Sequence, residues 1–415
     1  MILRWNKNKL TGEPALPASK SISNRFLIIR AISKKDFIIN NLSDAEDTQN
    51  LYNNLQKILQ SKQPVLTIDV GPAGTNMRFL AAFLAFQAGK EYILKGSERM
   101  HKRPVAPLVS ALRDLGADIE YLEHEGYPPL KIRGVHAQKN YVEVAASTSS
   151  QFITAMMLTA PDFPEGLEIK LTGEPVSLSY IHMTKRIMEQ CGAKAAVYED
   201  RIVIENRPYN PKQTYFVEAD WSAASYWYGM LAAAEEGALR LRDLREESVQ
   251  GDAVVHQWMQ SFGIKTTFTH EGAYLERGSY PPENFFSGNF LLCPDLAQTF
   301  LAVAAVKGIH AKLTGLKTLR FKETDRLNAM QAELKKFGIR MRKSADEAEI
   351  LPQKIVENSQ AIRTYDDHRM AMAMAVMAVK TGEISIENPE VVKKSYPHFW
   401  KELTRSGFEI IEESS

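Results

Sequence analysis

Six times along this 415-residue chain, a short polar or glycine-bearing cluster runs straight into an apolar stretch rich in Ala, Met, Leu and Phe. The starts are Ser19-Lys20-Ser21, Ala73-Gly74-Thr75, Ser149-Ser150-Gln151, Asp220-Trp221-Ser222, Pro294-Asp295-Leu296 and Asp366-Asp367-His368. From Gly74 to Ser149 is 75 residues, from Ser149 to Asp220 is 71, from Asp220 to Asp295 is 75, and from Asp295 to Asp367 is 72. A second ladder keeps the same step. Gly116, Gly192, Gly263, Gly338 and Gly407, spaced by 76, 71, 75 and 69, each follow an amphipathic helical pattern and precede a strand-like one, as in RIMEQCGAKAAV and AELKKFGIRM. Glycine in that place is the expected left-handed helix cap. The interval exceeds the roughly 20 to 50 residues of stacked solenoid repeats. Each period therefore reads as a small βαβαββ-like unit: a buried helix, a strand, an amphipathic helix and two short strands.

Composition narrows the partners. A hydrophobic fraction of 44% and a charged fraction of 24% suit a globular protein, and a net charge of +1 supplies no broad basic face for nucleic acid or anionic lipid. No run of 18 apolar residues marks a membrane span. The opening Met1-Ile-Leu-Arg-Trp-Asn has neither a secretory apolar core nor an Arg/Ser-rich transit pattern, so a cytoplasmic location is expected. Cys191 and Cys293 lie far apart and form no metal or redox spacing. His368 has no second His or Cys at ligand spacing, so no metal is expected.

The chemistry lies at the helix starts. A helix start offers unpaired N–H groups and the positive end of the dipole, a natural place for an anion. In PASKSISNRFLIIR, Lys20, Ser21, Ser23 and Arg25 place two cations and two hydroxyls around one such start. In GPAGTNMRF, Gly74 lets a ligand approach the backbone and Arg78 lies one turn on. Ser149, Ser150 and Gln151 are further donors, and Ser177 and Tyr180 follow in VSLSYI. RFKETDRL sets Lys322, Glu323, Asp325 and Arg326 before an amphipathic helix, and RTYDDHR precedes the apolar MAMAMAVMAV. Each cluster taken alone is also what simple capping or a solvated helix start would look like. Their coincidence is what counts: Lys20, Arg25, Arg78, Arg103, Lys322, Arg326, Arg369 and Lys394 accompany the repeat motifs, with Asp295 and Glu323 among them. The pattern reads as one cleft that binds several anionic groups and keeps two carboxylates for proton transfer.

These strings together carry a resemblance. LPASKSISNR, AGTNMRFL, RPVAPLVSALRDLGA, SSQF, VSLSY, EADWSAASYW, PDLAQTF, KETDRL, DDHRMAMA and KKSYPHFW, in this order, resemble the 5-enolpyruvylshikimate-3-phosphate synthase (3-phosphoshikimate 1-carboxyvinyltransferase) family over essentially the whole chain. The resemblance implies an α/β fold: a two-lobed inside-out prism of six βαβαββ-like repeats, with helix N-termini facing the interlobe cleft. One lobe would hold residues 1–19 and 219–415, the other 20–218. It implies transfer of the enolpyruvyl group of phosphoenolpyruvate to the 5-hydroxyl of shikimate 3-phosphate with release of phosphate, in aromatic amino-acid biosynthesis. No cofactor, metal or covalent intermediate is needed, and the enzyme would work as a monomer, without nucleic acid or membrane. By position, Lys20, Ser21, Arg25, Ser149, Ser150, Gln151, Ser177, Tyr180, Asp295 and Lys322 resemble residues around shikimate 3-phosphate. Lys20, Gly74, Arg103, Gln151, Glu323, Arg326, Arg369 and Lys394 resemble those around phosphoenolpyruvate. Asp295, Glu323, Lys394 and Lys20 are the catalytic candidates. Two other readings compete. One is a catalytically silent binder of phosphorylated metabolites, which intact Asp295, Glu323 and Lys394 argue against. The other is the related UDP-N-acetylglucosamine enolpyruvyl transferase family, which pairs Lys with Asn near its start, where Ser21 stands here, and carries a loop cysteine that neither Cys191 nor Cys293 matches.

Overall fold

The structure is a computed structural model and describes residues 1–145, 149–173, 178–278 and 281–412. The chain divides into two compact units, Ser19–Val217 and the combination of Met1–Ala18 with Glu218–Ser415.

In the Ser19–Val217 unit, the second repeat shows the plan. Its sheet runs in the order Val65–Asp69, Glu91–Lys95, Leu130–Arg133, Asp118–Tyr121. The first two strands are parallel and joined across the Gly74–Ala85 helix, while the remaining pairings are antiparallel. The third repeat copies it with Tyr141–Ala145, Leu167–Thr172, Arg201–Ile204 and Ala195–Val197, crossing over through Ser150–Thr159. The first repeat is discontinuous: Lys20–Ser33 and Glu46–Gln60 flank Ile38–Asn40, which is paired in parallel by Thr214–Phe216 from the far end of the unit.

The other unit is built alike. Lys9–Gly12, Glu236–Arg242, Gly272–Arg277 and Ile264–Thr269 form one sheet, with the Trp221–Ala233 helix leading into Glu236–Arg242. Phe285–Asn289, His310–Thr314, Ala348–Ile350 and Met341–Lys343 form the next, crossing over through Ala297–Lys307. The last sheet places Ile2–Arg4 between Glu383–Ser385 and Glu409–Ile411.

Residue patterns explain the two helix types. Every residue of Gly74–Ala85 but Thr75 is buried, as is every residue of Trp221–Ala232, so these largely apolar helices are packed on all sides. Burying each Leu, Phe or Met on them is worth about 1.5–3 kcal/mol relative to exposure. Glu46–Gln60 instead buries Leu51, Leu55 and Ile58 along one stripe, with Asp47 and Thr48 buried in its first turn and most other positions partly or fully exposed. Strands such as Val65–Asp69 alternate exposed and buried positions, one face to the helices and one outward. Two expected helices differ in detail. The segment before Gly263 is an α-turn at Val255–Trp258 followed by a 3₁₀ turn at Met259–Phe262, because its leading residues Gln250 and Asp252 are tied by side-chain hydrogen bonds to Trp221 and Ser222. The MAMAMAVMAV helix breaks between His368–Met374 and Met377–Thr381.

The glycine ladder takes the left-handed conformation at each rung, with φ from 77° at Gly338 to 103° at Gly407. At Gly192 (φ +90°) a Cβ would also approach the Asn210 backbone nitrogen to 3.1 Å. Gly192→Ala is therefore expected to lower the unfolding free energy by about 1–2 kcal/mol, read by urea denaturation. An unchanged midpoint and slope would contradict the cap assignment.

Candidate active site

In the unit that carries both termini, the polar groups gather at the starts of three buried helices. Arg326 is their centre. It opens the Arg326–Lys336 helix, whose N-cap is Asp325, and its guanidinium is 1% exposed. Nε donates to Asp367 Oδ2 at 2.7 Å, Nη1 to Asp295 Oδ1 at 2.8 Å and Nη2 to Glu323 Oε2 at 2.8 Å. Burial alone would weaken the guanidinium's hold on its proton, but the carboxylates of Asp367, Glu323 and Asp295 outweigh it and push its pKa above the ordinary value. The second oxygen of Asp295 and of Glu323 is also taken. Lys394 Nζ donates to Glu323 Oε1 at 2.9 Å, and Arg369 Nη2 donates to Asp295 Oδ2 at 3.0 Å. Lys322 Nζ stands 3.7 Å from Asp295 Oδ1. Arg369 Nη1 donates to the Tyr226 hydroxyl at 3.3 Å, linking the cluster to the Trp221–Ala233 helix; burial raises that phenol to about 12 despite Arg369 beside it.

Local sequence sets each position. Asp295 does not cap its helix. It lies in the 3₁₀ turn Pro294–Leu296 that precedes Ala297–Lys307, which leaves both oxygens for the arginines. Asp367 does both tasks: Oδ1 caps the His368–Met374 helix through the Arg369 N–H, and Oδ2 takes Arg326. The resulting face holds two nearly buried carboxylates, Asp295 and Glu323, each between cations.

The other unit groups a second set of donors. The side chain of Gln151 donates to Thr75 Oγ1 at 3.3 Å and that of Asn24 to Asn76 Oδ1 at 3.3 Å, so the starts of its three buried helices lie together. Lys20 donates to Asp47 Oδ2 at 2.9 Å. Asp47 is fixed from behind, since its carbonyl accepts from Asn76 Nδ2 at 2.7 Å and the neighbouring Thr48 hydroxyl donates to Asn24 Oδ1 at 2.8 Å. Arg25 is buried, and donates to Thr184 Oγ1, the Ser21 carbonyl and the Tyr180 carbonyl, with the Phe79 and Tyr180 rings 5.6 and 6.0 Å from its Cζ. Burial pulls its pKa down to about 10. Gly74 leaves room for two arginine side chains: a Cβ there would lie 2.5 Å from Arg103 Nη1 and 2.4 Å from Arg78 Nη1, so both would have to shift. Ser149 caps its helix through the Gln151 N–H, and Ser150 is buried behind it. Ser177 lies outside the described residues.

Of the expected residues, Asp295, Lys322, Glu323, Arg326, Arg369 and Lys394 are thus in one cluster, and Lys20, Ser21, Arg25, Gly74, Arg103, Ser149, Ser150, Gln151 and Tyr180 belong to the helix starts of the other unit. Asp47, Asp367 and Tyr226 were not singled out by sequence as site residues. Asp367 had a visible signal, a second acid directly before a buried helix, while the partners of Asp47 and Tyr226 lie 27 and 143 residues away. Among the described residues no group of three or more His, Cys, Asp or Glu side chains is arranged to hold a metal ion.

Comparison with known proteins gives the family. Residues 5–403 match the family model described as EPSP synthase (3-phosphoshikimate 1-carboxyvinyltransferase). The chain is 41% identical over 398 residues to the 3-phosphoshikimate 1-carboxyvinyltransferase of Bacteroides fragilis (strain YCH46), covering 95% of each chain. It is 35% identical to that of Sulfurovum sp. (strain NBC37-1), covering 95% of this chain and 96% of the other. In fold it is similar to the EPSP synthase of Acinetobacter baumannii, with a TM-score of 0.79 at 21% identity over 99% of both chains. With full-length relatives above 30% identity and Arg326, Asp295 and Glu323 drawn into one buried charge cluster, the chain belongs to the EPSP synthase family and is an enzyme.

Proposed function

We propose that this enzyme transfers the enolpyruvyl group of phosphoenolpyruvate to the 5-hydroxyl of shikimate 3-phosphate and releases phosphate. The observation that carries the reading is the pair of carboxylates, Asp295 and Glu323, held on the one buried guanidinium of Arg326. The reaction needs two proton transfers. The methylene carbon of phosphoenolpyruvate gains a proton, leaving positive character on the carbon beside the phosphate oxygen; the 5-hydroxyl attacks that carbon and loses its own proton. The tetrahedral intermediate then loses a proton from its methyl group and expels phosphate, restoring the double bond. Glu323 is assigned to the carbon and Asp295 to the hydroxyl.

Glu323 rests between Lys394 and Arg326, which favours its ionised form. The carboxylate and phosphate of phosphoenolpyruvate compete for those cations, and the competition leaves Glu323 able to hold the proton it must deliver. Lys20, Arg103 and Lys394 are assigned to stabilising phosphate as it leaves, and Arg369 to binding phosphoenolpyruvate. Gly74 keeps backbone N–H groups and Arg103 accessible to the same anion. Ser21, Arg25, Ser149, Ser150, Gln151, Ser177, Tyr180 and Lys322 are assigned to shikimate 3-phosphate, with Arg25 fixing the Ser21 and Tyr180 backbones from beneath. Among the described residues no helix is long and apolar enough to cross a membrane. We further infer a cytoplasmic monomer that does not bind nucleic acid; the near-neutral net charge of +1 supports the last of these.

The purified protein is expected to release phosphate from phosphoenolpyruvate only when shikimate 3-phosphate is present, with the enolpyruvyl ether as co-product. Tight shikimate 3-phosphate binding without release would favour a silent binder. Glu323→Gln is expected to cut kcat by about 10²–10⁴-fold, with shikimate 3-phosphate affinity nearly intact by calorimetry. Unchanged turnover would remove Glu323 from the mechanism. Arg25→Ala is expected to raise the KM for shikimate 3-phosphate by about tenfold or more while moving that for phosphoenolpyruvate little, as loss of a charge-assisted contact worth about 1.5–3 kcal/mol implies. Equal shifts in both would assign Arg25 to the fold alone.

A further inference from the structure

The Ser248–Asp252 strap brings a further buried carboxyl group to the active face. Gln250 fastens the strap: its Nε2 donates to Glu218 Oε1 and the Ala219 carbonyl, both at 2.9 Å, and its Oε1 accepts from the Trp221 N–H at 3.1 Å. Two residues on, Asp252 is buried, and its carboxyl is hydrogen-bonded to the Ser222 hydroxyl. Ser222 and Tyr226 are one turn apart on the same face of the Trp221–Ala233 helix, and Tyr226 accepts from Arg369, the arginine that holds Asp295. The helix thus ties Asp252 to the same network, within electrostatic range of Asp295 and Arg369.

Charged groups reach Asp252 from every element around it. Asp220 does so from the start of the Trp221 helix, Asp295 from the Pro294–Leu296 turn, and Arg369 from the His368 helix; the thiol of Cys293 lies within its field as well. Burial, then the like charge of Asp295, raise the Asp252 carboxyl to about 7, with Arg369 and Ser222 acting in the opposite sense.

The arrangement answers a chemical difficulty. Asp295 is held by Arg326 and Arg369, with Lys322 close by, and a carboxylate so surrounded by cations is a poor proton acceptor. A second anion in the same low-dielectric neighbourhood offsets them.

We propose that Asp252 is a positioning residue for the reaction, a buried anion that touches neither substrate and that strengthens Asp295 as the acceptor of the hydroxyl proton. The inference rests on the transferase reading above. Ionised Asp252 supports turnover; protonated Asp252 withdraws its charge while keeping its contact with Ser222. Asp252→Asn imitates the protonated state at nearly constant shape.

The test is kcat against pH from 5.5 to 9 at saturating phosphoenolpyruvate and shikimate 3-phosphate, for the wild type, Asp252→Asn and Ser222→Ala. The wild type is expected to show a rise in kcat with an inflection near neutrality. Asp252→Asn is expected to remove that inflection and lower the plateau about three- to tenfold, with both KM values within about twofold of the wild type. Ser222→Ala, which deletes a hydrogen bond favouring the anion, is expected to move the inflection to higher pH. Thermal unfolding over the same range gives a second readout. The Asp252 carboxyl holds its proton to higher pH in the folded protein than in the unfolded chain, so its contribution to stability is present at acid pH and lost as pH rises through about 7. Asp252→Asn is expected to flatten that loss. An Asp252→Asn enzyme with the wild-type pH profile, and activity reduced only in proportion to its folded fraction, would overturn the proposal and leave the strap a structural clamp. A folded wild type without turnover would overturn the transferase reading, and the proposal with it.

Discussion

The buried guanidinium of Arg326 is the interaction on which the terminal-bearing unit's active face depends. Removing a guanidinium and several carboxylates from water costs several kcal/mol per ion, and only dense, well-aligned pairing offsets such a cost. Here three carboxylates surround one arginine at 2.7–2.8 Å. They come from different places: Glu323 from the turn just before, Asp295 from the 3₁₀ turn that leads into the preceding buried helix of the same repeat, and Asp367 from the next repeat. Arg369 extends the array to Tyr226 in the remaining repeat. One polar centre therefore fixes the starts of all three buried helices, and in doing so fixes the separation and orientation of the two carboxylates assigned to proton transfer.

The same arrangement explains why an enzyme of this family can be built by repetition. A βαβαββ unit buries one apolar helix and leaves that helix's start as the natural collecting point for polar groups. Three copies packed through their apolar helices place three such starts together. The Ser19–Val217 unit collects mainly neutral donors and cations at its own, as the Asn24–Asn76 and Gln151–Thr75 contacts show, while the unit with both termini collects acids and the bases that restrain them. Chemistry then differs between the units through a handful of side chains, on sheets and helices that are alike.

Much of this was legible in the sequence because it is local. The six helix starts, the glycines that end the amphipathic helices and the mixed α/β class follow from periodicity and capping, which are read within a few residues. Partner choice is not local. Glu323 and Lys394 are 71 residues apart, Asp295 and Arg369 are 74, and nothing in KETDR or DDHR states that Arg326 bonds both Asp295 and Asp367. Asp295 shows the limit most clearly. A polar residue before an apolar helix suggests a cap, yet Pro294 starts a 3₁₀ turn there and the carboxylate serves two arginines instead. Asp252 had no signal of its own, because its burial depends on the Gln250 strap closing onto the Trp221 helix from 29 residues away.

The central claim is that, with both carboxylates set by Arg326, Glu323 adds a proton to the methylene carbon of phosphoenolpyruvate while Asp295 takes the hydroxyl proton, and that the methyl group so formed later loses a proton. Turnover in D₂O, with the enolpyruvyl product analysed by mass spectrometry and proton NMR, tests it most directly. Addition followed by elimination passes through a methyl group, so deuterium is expected in the product's vinylic methylene from the first turnovers. A product formed at the normal rate with no deuterium there would contradict the account, since its methylene carbon would never have been protonated.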